Sequence, residues 1–293
     1  MPVLYRGRFA PTPTGPLHLG SLVTAMASFL EVRQHQGDWL LRIDDIDQAR
    51  CHPDAAVQII QTLRKLGFHW QEPVHYQHQH QSAYLAALDQ LRARHLLYAC
   101  HCSRQQLHGQ TRYPGTCRTL DHPDTADYAL RIRTHDFIIT APDIWQGTCC
   151  QRLAETSGDF IVRRRDGVIA YQLAVVVDDQ LAGVTHVVRG ADLLESSCRQ
   201  VYLYQQLGYP TPTYQHVPLV WGHDGKKLSK SDAARPIELA SPLDALRAAW
   251  AFLQPAQPPS NVNSTTTFWR WATNHWQGAY LSRHCGGRLM GAF

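Results

Sequence analysis

The sequence predicts a nucleotide-binding α/β fold, and three observations carry that expectation. Near the N-terminus a short apolar strand (Val3, Leu4, Tyr5) leads into a Gly/Pro turn, and Leu22, Val23, Met26, Ala27, Phe29 and Leu30 then recur at helical spacing. Strand, turn and helix in that order open nucleotide-binding domains, because the helix N-terminus offers phosphate its unpaired N–H groups and the positive end of its dipole. Next, Trp39-Leu-Leu-Arg-Ile43 is a short apolar strand that runs into Asp44, Asp45 and Asp47. Further on, Val184-Thr-His-Val-Val-Arg189 is a buried strand with arginine at its carboxyl end, where open α/β sheets bind ligands. The first turn matches neither the dinucleotide fingerprint nor the P-loop.

The bulk numbers bound the reading. A chain of 293 residues fits one large domain or two modest ones, and 44% hydrophobic with 18% charged residues is ordinary for a globular protein. No apolar run approaches the roughly 20 residues that span a bilayer, and no basic-then-apolar leader precedes the first motif, so a cytoplasmic protein is expected. A net charge of +4 permits an RNA partner without requiring one. The run His75-Tyr-Gln-His78-Gln-His80 reads as a solvated loop that gains charge below neutral pH. Of eight cysteines, Cys100, Cys102 and Cys117 cluster, which reads as metal before disulfide in the absence of a secretory signal.

In chain order, Pro53 to Leu66 is an amphipathic helix with Pro in its first turn and Gly67 at its end, and Val57, Ile59, Ile60, Leu63 and Leu66 should face the core. A second helix over 82–94 carries Tyr84, Leu85, Leu88 and Leu91. The acids at 44–47 suit a metal, an ammonium group or a helix cap. Three thiols among turn residues suggest a small zinc knuckle, whose fourth ligand the residues leave open among His101, His108, Tyr113 and His122. Residues 129–133 and 137–139 read as short strands, with Arg131 and Arg133 either touching RNA or lying on a solvated face. Asp159 to Gly167 is a strand and tight turn, and Arg163-Arg-Arg165 is a phosphate contact or a solvated strand end. The run Ile169 to Asp179 is mostly core, a helix follows over 196–207 up to Gly208, and Val217–Val220 is a strand. A helix over 242–253 ends before Pro255, Pro258 and Pro259, and no clean period follows in 264–293.

Two motifs resemble the signatures of class I aminoacyl-tRNA synthetases, in the order that family shows them. His18-Leu-Gly20-Ser21 resembles "HIGH", and Lys226-Lys227-Leu-Ser-Lys230-Ser231 resembles "KMSKS". The stretch Arg8-Phe-Ala-Pro-Thr-Pro-Thr-Gly15 resembles the glutamyl branch, and Asp143-Ile-Trp-Gln-Gly147 resembles the segment between the two halves of its nucleotide fold. The resemblance covers roughly 5–240. It implies a Rossmann-like parallel sheet with a small zinc-bearing α+β insertion, a short C-terminal helical tail and no anticodon-binding domain. The halves of the catalytic domain would be 1–97 and 159–240, the insertion 98–158 and the tail 241–293.

The resemblance also implies site residues. L-Glutamate would be held by Arg8, Phe9, Ala10, Pro11, Thr12, Asp44, Tyr171 and Arg189, with Asp44 standing, one methylene shorter, where the branch has glutamate. ATP, accompanied by Mg²⁺, would be held by His18, Gly20, Lys227 and Lys230, with His18 and Lys230 catalytic. Cys100, Cys102, Tyr113 and Cys117 fit the C-x-C and Y-x-x-x-C zinc pattern of the glutamyl-queuosine tRNA(Asp) synthetases, short relatives of glutamyl-tRNA synthetase. About 60 residues follow Ser231, too few for an anticodon-reading domain. The implied acceptor is therefore the queuosine base of tRNA(Asp), and the implied protein a monomeric ligase. The alternatives are a truncated synthetase charging a tRNA 3′ end and a non-catalytic RNA-binding paralogue.

Overall fold

The computed structural model describes residues 4–52, 54–120, 127–221, 237, 241–282 and 289–290. Its centre is parallel sheet. Strand β1 (Arg6–Phe9), helix α1 (Leu19–Gln34), strand β2 (Asp38–Ile43), helix α2 (Ala55–Lys65) and strand β3 (Gln71–Tyr76) form a three-stranded parallel unit. After helix α3 (Gln81–Ala93) come strands β4 (Leu97–Cys100), β5 (Ala129–Ile132), β6 (Ile138–Ala141) and β7 (Cys149–Arg152), the short helix α4 (Leu153–Thr156) and strand β8 (Phe160–Arg163). Here β4, β5 and β8 form one antiparallel sheet and β6 and β7 another. Helix α5 (Tyr171–Leu181), strand β9 (His186–Gly190), helix α6 (Leu194–Leu207) and strand β10 (Thr213–Val217) follow, with β9 and β10 parallel. The Thr185 N–H donates to the Arg6 carbonyl at 2.9 Å and so ties β9 to β1.

Both faces of this sheet are covered, as parallel sheets require. Along β2 the side chains alternate: Trp39, Leu41 and Ile43 join a core with α1 and α2, whereas Leu40 joins a second core with α3, α5 and α6. Gly208 closes α6 in the left-handed region at φ 70°, where a side chain would be strained.

Several expectations shift. Of the strand read at 3–5, Val3 lies outside the described residues and Leu4 and Tyr5 precede the observed strand at 6–9, which holds Arg8, polar in type yet buried by ion pairing. Val57 and Leu85 are exposed, since α2 buries only Ala55, Ile59 and Leu63 at a four-residue spacing and α3 turns Tyr84, Leu88 and Leu91 inward. The strand read at 217–220 is split: β10 ends at Val217 and β11 (Val220–Trp221) starts beyond Pro218, which has no N–H to donate. The histidine run is no solvated loop. It completes β3 and a 3₁₀ turn in which Gln77 is buried, His78 pairs with Asp45 at 2.5 Å and His80 with Asp178 at 2.8 Å.

The C-terminal stretch builds core. Helix α7 (Pro242–Leu253) packs on α1, and helix α8 (Thr265–His275) begins with a reciprocal Ser264–Thr267 capping box. Trp269 sits edge-on to Phe29 and Phe68, with ring centroids 4.9 and 4.7 Å away, and its indole N–H donates to the Leu66 carbonyl at 2.8 Å. Helix α9 (Ala279–Ser282) buries Leu281, and strand β12 (Leu289–Met290) pairs with β11. No helix among the described residues is long and apolar enough to cross a membrane.

Trp269→Ala should lower unfolding free energy by about 3–5 kcal/mol, the usual cost of emptying a buried aromatic site; urea denaturation of the two proteins measures it.

Candidate active site and candidate metal centre

The carboxyl ends of β1, β2, β9 and β10 open into one cavity of about 620 Å³. Arg8, Phe9, Ala10, Pro11, Thr12, His18, Gly20, Asp44, Tyr171 and Arg189 all line it. Lys226, Lys227 and Lys230 lie outside the described residues. The chain on either side of them is at the cavity: Leu219 lines its wall, and the Ile237 N–H donates to the Leu17 carbonyl at 3.1 Å.

The floor is a buried ion network. Arg8 Nε donates to Asp179 at 3.1 Å, Arg42 Nη1 to the same carboxylate at 2.5 Å, and Arg42 Nε to Asp44 at 2.6 Å. Asp178 lies 3.8 Å from Arg42 Nε and accepts from Gln77 at 2.7 Å and from the Tyr84 hydroxyl at 2.7 Å. Burial works to raise Asp179, but the Arg8 and Arg42 guanidiniums outweigh it and hold its carboxyl below the ordinary value. For Asp44 burial wins over Arg42, and its carboxyl is pushed up to about 6. Arg42, Asp178 and Asp179 were not among the residues singled out from the sequence. Asp178 and Asp179 showed in the sequence only as a pair of acids ending an otherwise apolar stretch, and Arg42 only as a charge within an apolar strand.

At the mouth, His18 caps α1. Its Nδ1 accepts from the Ser21 backbone N–H at 3.2 Å, so its proton sits on Nε2, which lies 3.1 Å from the Ser21 hydroxyl. A Cβ on Gly20 would stand 3.2 Å from the imidazole, so glycine lets the ring lie against the helix start. Arg189 is gripped from several sides: Nε donates to His216 at 2.9 Å, Nη1 to Gln200 at 2.7 Å and Nη2 to Ser197 at 2.9 Å.

The end of β4 and the loop that follows it bring three thiols together. The sulfurs of Cys100, Cys102 and Cys117 lie within 4.8 Å of one another, a group able to hold a metal ion. The Tyr113 hydroxyl is 3.4 Å from Cys100 Sγ and 3.7 Å from Cys102 Sγ, and Cys102 and Cys117 are 3.6 Å apart. His101 Nδ1 lies 3.3 Å from Cys117 Sγ. Arg131 is buried, donating to Cys100 Sγ at 3.2 Å with its guanidinium 3.6 Å over the Tyr113 ring. Burial works to raise the Cys100 thiol, but hydrogen bonds from Tyr113 and Arg131 hold it below its ordinary value. Arg133, just past β5, is half-buried, donates to the Arg118 carbonyl at 2.7 Å and lies over the Tyr98 ring, so of the two alternatives read for Arg131 and Arg133 a solvated face does not hold. In the arginine run, Arg164 pairs with Asp47 and Asp166, and Arg165 donates to the His101 carbonyl at 2.6 Å.

Comparison with known proteins accords with this geometry. Residues 5–251 match the catalytic-domain model of the class I tRNA synthetases (E and Q). The chain belongs to this synthetase family. It is 49% identical over 288 residues to the glutamyl-Q tRNA(Asp) synthetase of Cupriavidus metallidurans, covering 93% of this chain and 91% of that one. It is 47% identical over 291 residues to that of Verminephrobacter eiseniae, covering 94% and 98%. Among solved structures, glutamate-tRNA synthetase from Elizabethkingia anophelis superposes with a TM-score of 0.69 at 28% identity, over 78% of this chain. The chain spans about half of that longer enzyme, 52% of its length.

Because burial disfavours the Asp44 charge, the folded chain holds a proton there that the unfolded chain releases. The stability this lends is full below the ordinary carboxylate value of 3.8 and is lost as pH rises through about 6. Relative to Asp44→Asn, the wild type should therefore weaken by up to about 3 kcal/mol between those limits, read from urea unfolding of both proteins across that range.

Proposed function

We propose that the chain activates L-glutamate with ATP and transfers it to the queuosine base in the anticodon loop of tRNA(Asp). The observation that carries this reading is the single cavity that gathers Arg8, Asp44, Tyr171 and Arg189 beside His18 and Gly20. Relatives named glutamyl-Q tRNA(Asp) synthetase match over nearly their whole length, which favours this acceptor over a tRNA 3′ end.

In this reading the α-carboxylate of glutamate attacks the α-phosphorus of ATP and expels pyrophosphate. No covalent enzyme intermediate is needed, so positioning and charge stabilisation suffice. Arg8 and Arg189 hold the carboxylates, Asp44 holds the ammonium group and Tyr171 borders them. His18 and the start of α1 hold phosphate oxygens, His18 by turning its ring from Ser21. Lys230, with Lys227, stabilises the leaving phosphates, and Mg²⁺ comes with ATP, held chiefly by phosphate and water. The acyl group then passes from the adenylate to a hydroxyl of the modified base, forming an ester. The catalytic domain is read as 1–97 with 159–240, around the insertion 98–158 and followed by 241–293.

We also propose a structural zinc ion held by Cys100, Cys102, Tyr113 and Cys117. Tetrahedral zinc with bonds of about 2.3 Å to sulfur places its ligand atoms roughly 3.5–3.8 Å apart. The distances of 3.4, 3.6 and 3.7 Å among Tyr113, Cys102, Cys100 and Cys117 agree with that spacing. Arg131 beside this cluster offsets part of the negative charge of three thiolates and a phenolate.

Wild-type protein should catalyse glutamate-dependent ATP–pyrophosphate exchange, and Lys230→Ala should lower it by roughly a hundredfold or more, as expected on removing a charge that acts on the transition state. Nuclease mapping of tRNA labelled with glutamate should place the label in the anticodon loop. Label on the 3′-terminal adenosine would overturn the acceptor, and absence of exchange with and without tRNA would favour a non-catalytic paralogue. Metal analysis should find one zinc per chain, lost in Cys117→Ser; a metal-free and fully active protein would refute the zinc centre.

A further inference from the structure

Arg189 is a buried cation whose hydrogen bonds all go to neutral acceptors. Besides His216, Gln200 and Ser197, Nη2 reaches the Leu193 carbonyl at 3.4 Å, and the guanidinium lies 5.0 Å over the Tyr214 ring. Among the described residues no carboxylate is within ion-pairing distance of it. Arg8 differs, because Asp179 already balances its charge.

Arginine can only donate, so His216 Nε2 must accept from Arg189 Nε and the imidazole proton must sit on Nδ1. That Nδ1–H donates to Asp143 Oδ2 at 2.6 Å. The other oxygen of Asp143 accepts the backbone N–H groups of Trp145 at 2.9 Å and Gln146 at 2.6 Å, and the Gln146 side chain donates back to the His216 carbonyl at 2.8 Å. Ile144 donates its N–H to the Tyr214 carbonyl at 3.0 Å, which docks the whole segment on β10. The side chains of Asp143 and His216 are 1% and 0% exposed, so water does not compete for these bonds.

We propose that Asp143 and His216 are positioning residues that fix Arg189 for substrate recognition: Asp143 sets the imidazole tautomer, and the imidazole orients the guanidinium while leaving its charge for a substrate carboxylate. This rests on the reading of Arg189 as a carboxylate-binding group. Burial, and after it the Arg189 charge, lower the pKa of His216 against the pull of Asp143 and Asp192, which keeps the ring neutral and able to accept. A protonated ring, or one carrying its proton on Nε2, would turn an N–H toward an N–H. Asp143→Asn is the sharpest variant, because an amide N–H facing Nδ1 drives the imidazole proton onto Nε2 without a change of shape.

The test measures glutamate-dependent exchange in Asp143→Asn, His216→Phe and His216→Gln. The first two should raise KM for glutamate roughly tenfold to a hundredfold, the loss expected for a bond to a buried charge. His216→Gln, whose amide oxygen can accept from Arg189, should recover most of that loss. KM for ATP and kcat should move by less than about threefold. An unchanged KM for glutamate, or losses shared equally by kcat and both KM values, would overturn the proposal. If wild type activates no glutamate, the functional reading fails on its own account. The ¹⁵N spectrum of the wild-type imidazoles, with His216 assigned by difference from His216→Gln, still decides the positioning claim, which a proton on Nε2 at pH 7 would overturn.

Discussion

Two guanidiniums lie under the cavity, with Asp179 between them and Asp44 as a further partner of one. An isolated charge in a protein interior costs several kcal/mol, whereas one carboxylate bridging two arginines satisfies all three partners at once. That bridge joins residues far apart in sequence: Arg8 on β1, Arg42 on β2 and Asp179 on α5. It therefore sets where α5 sits against the sheet, and with α5 the place of Tyr171 at its start. Asp44 is drawn into the same lattice by Arg42, so the carboxylate at the end of β2 owes its position to the floor of the site rather than to its own loop.

The two ends of the cavity are built on different electrostatic plans. On the Arg8 side cations and carboxylates are interleaved. On the Arg189 side the cation is held by an imidazole, an amide, a hydroxyl and a carbonyl. A substrate with two carboxylates and one ammonium group suits a pocket with one compensated and one uncompensated end. Behind each arginine stands a carboxylate that orients it, directly in the case of Asp179 and through His216 in the case of Asp143.

Legibility in the sequence followed burial chemistry. Helices whose apolar residues carry their own stabilisation, such as 82–94 and 242–253, were readable from spacing and end signals. The cavity residues were readable because turn glycines, a histidine and arginines at strand ends are unusual where they stand. What escaped were elements stabilised by polar contacts. The first strand hides behind Arg8, the turn after β3 is held by His78 and His80 on aspartates, and Arg131 looks like a surface residue until Cys100 and Tyr113 close around it. Residues 264–276 were opaque for another reason: α8 holds itself by a Ser/Thr cap and inserts Trp269 and Phe268, leaving too few apolar positions to show a period.

One buried carboxylate has a consequence for how the chain is made. Glu31 on α1 accepts from the Trp276 indole at 2.7 Å and from Gln215 at 2.9 Å, and Gln215 in turn accepts from the Tyr5 hydroxyl at 3.0 Å. One partner of a buried carboxylate in the first helix is thus supplied from 245 residues further along the chain. Domains generally fold as they emerge from the ribosome. In this one the two side-chain donors to Glu31 are both present only once residue 276 is in place. Removing the segment that carries Trp276 would leave that carboxylate oxygen on α1 without its indole donor.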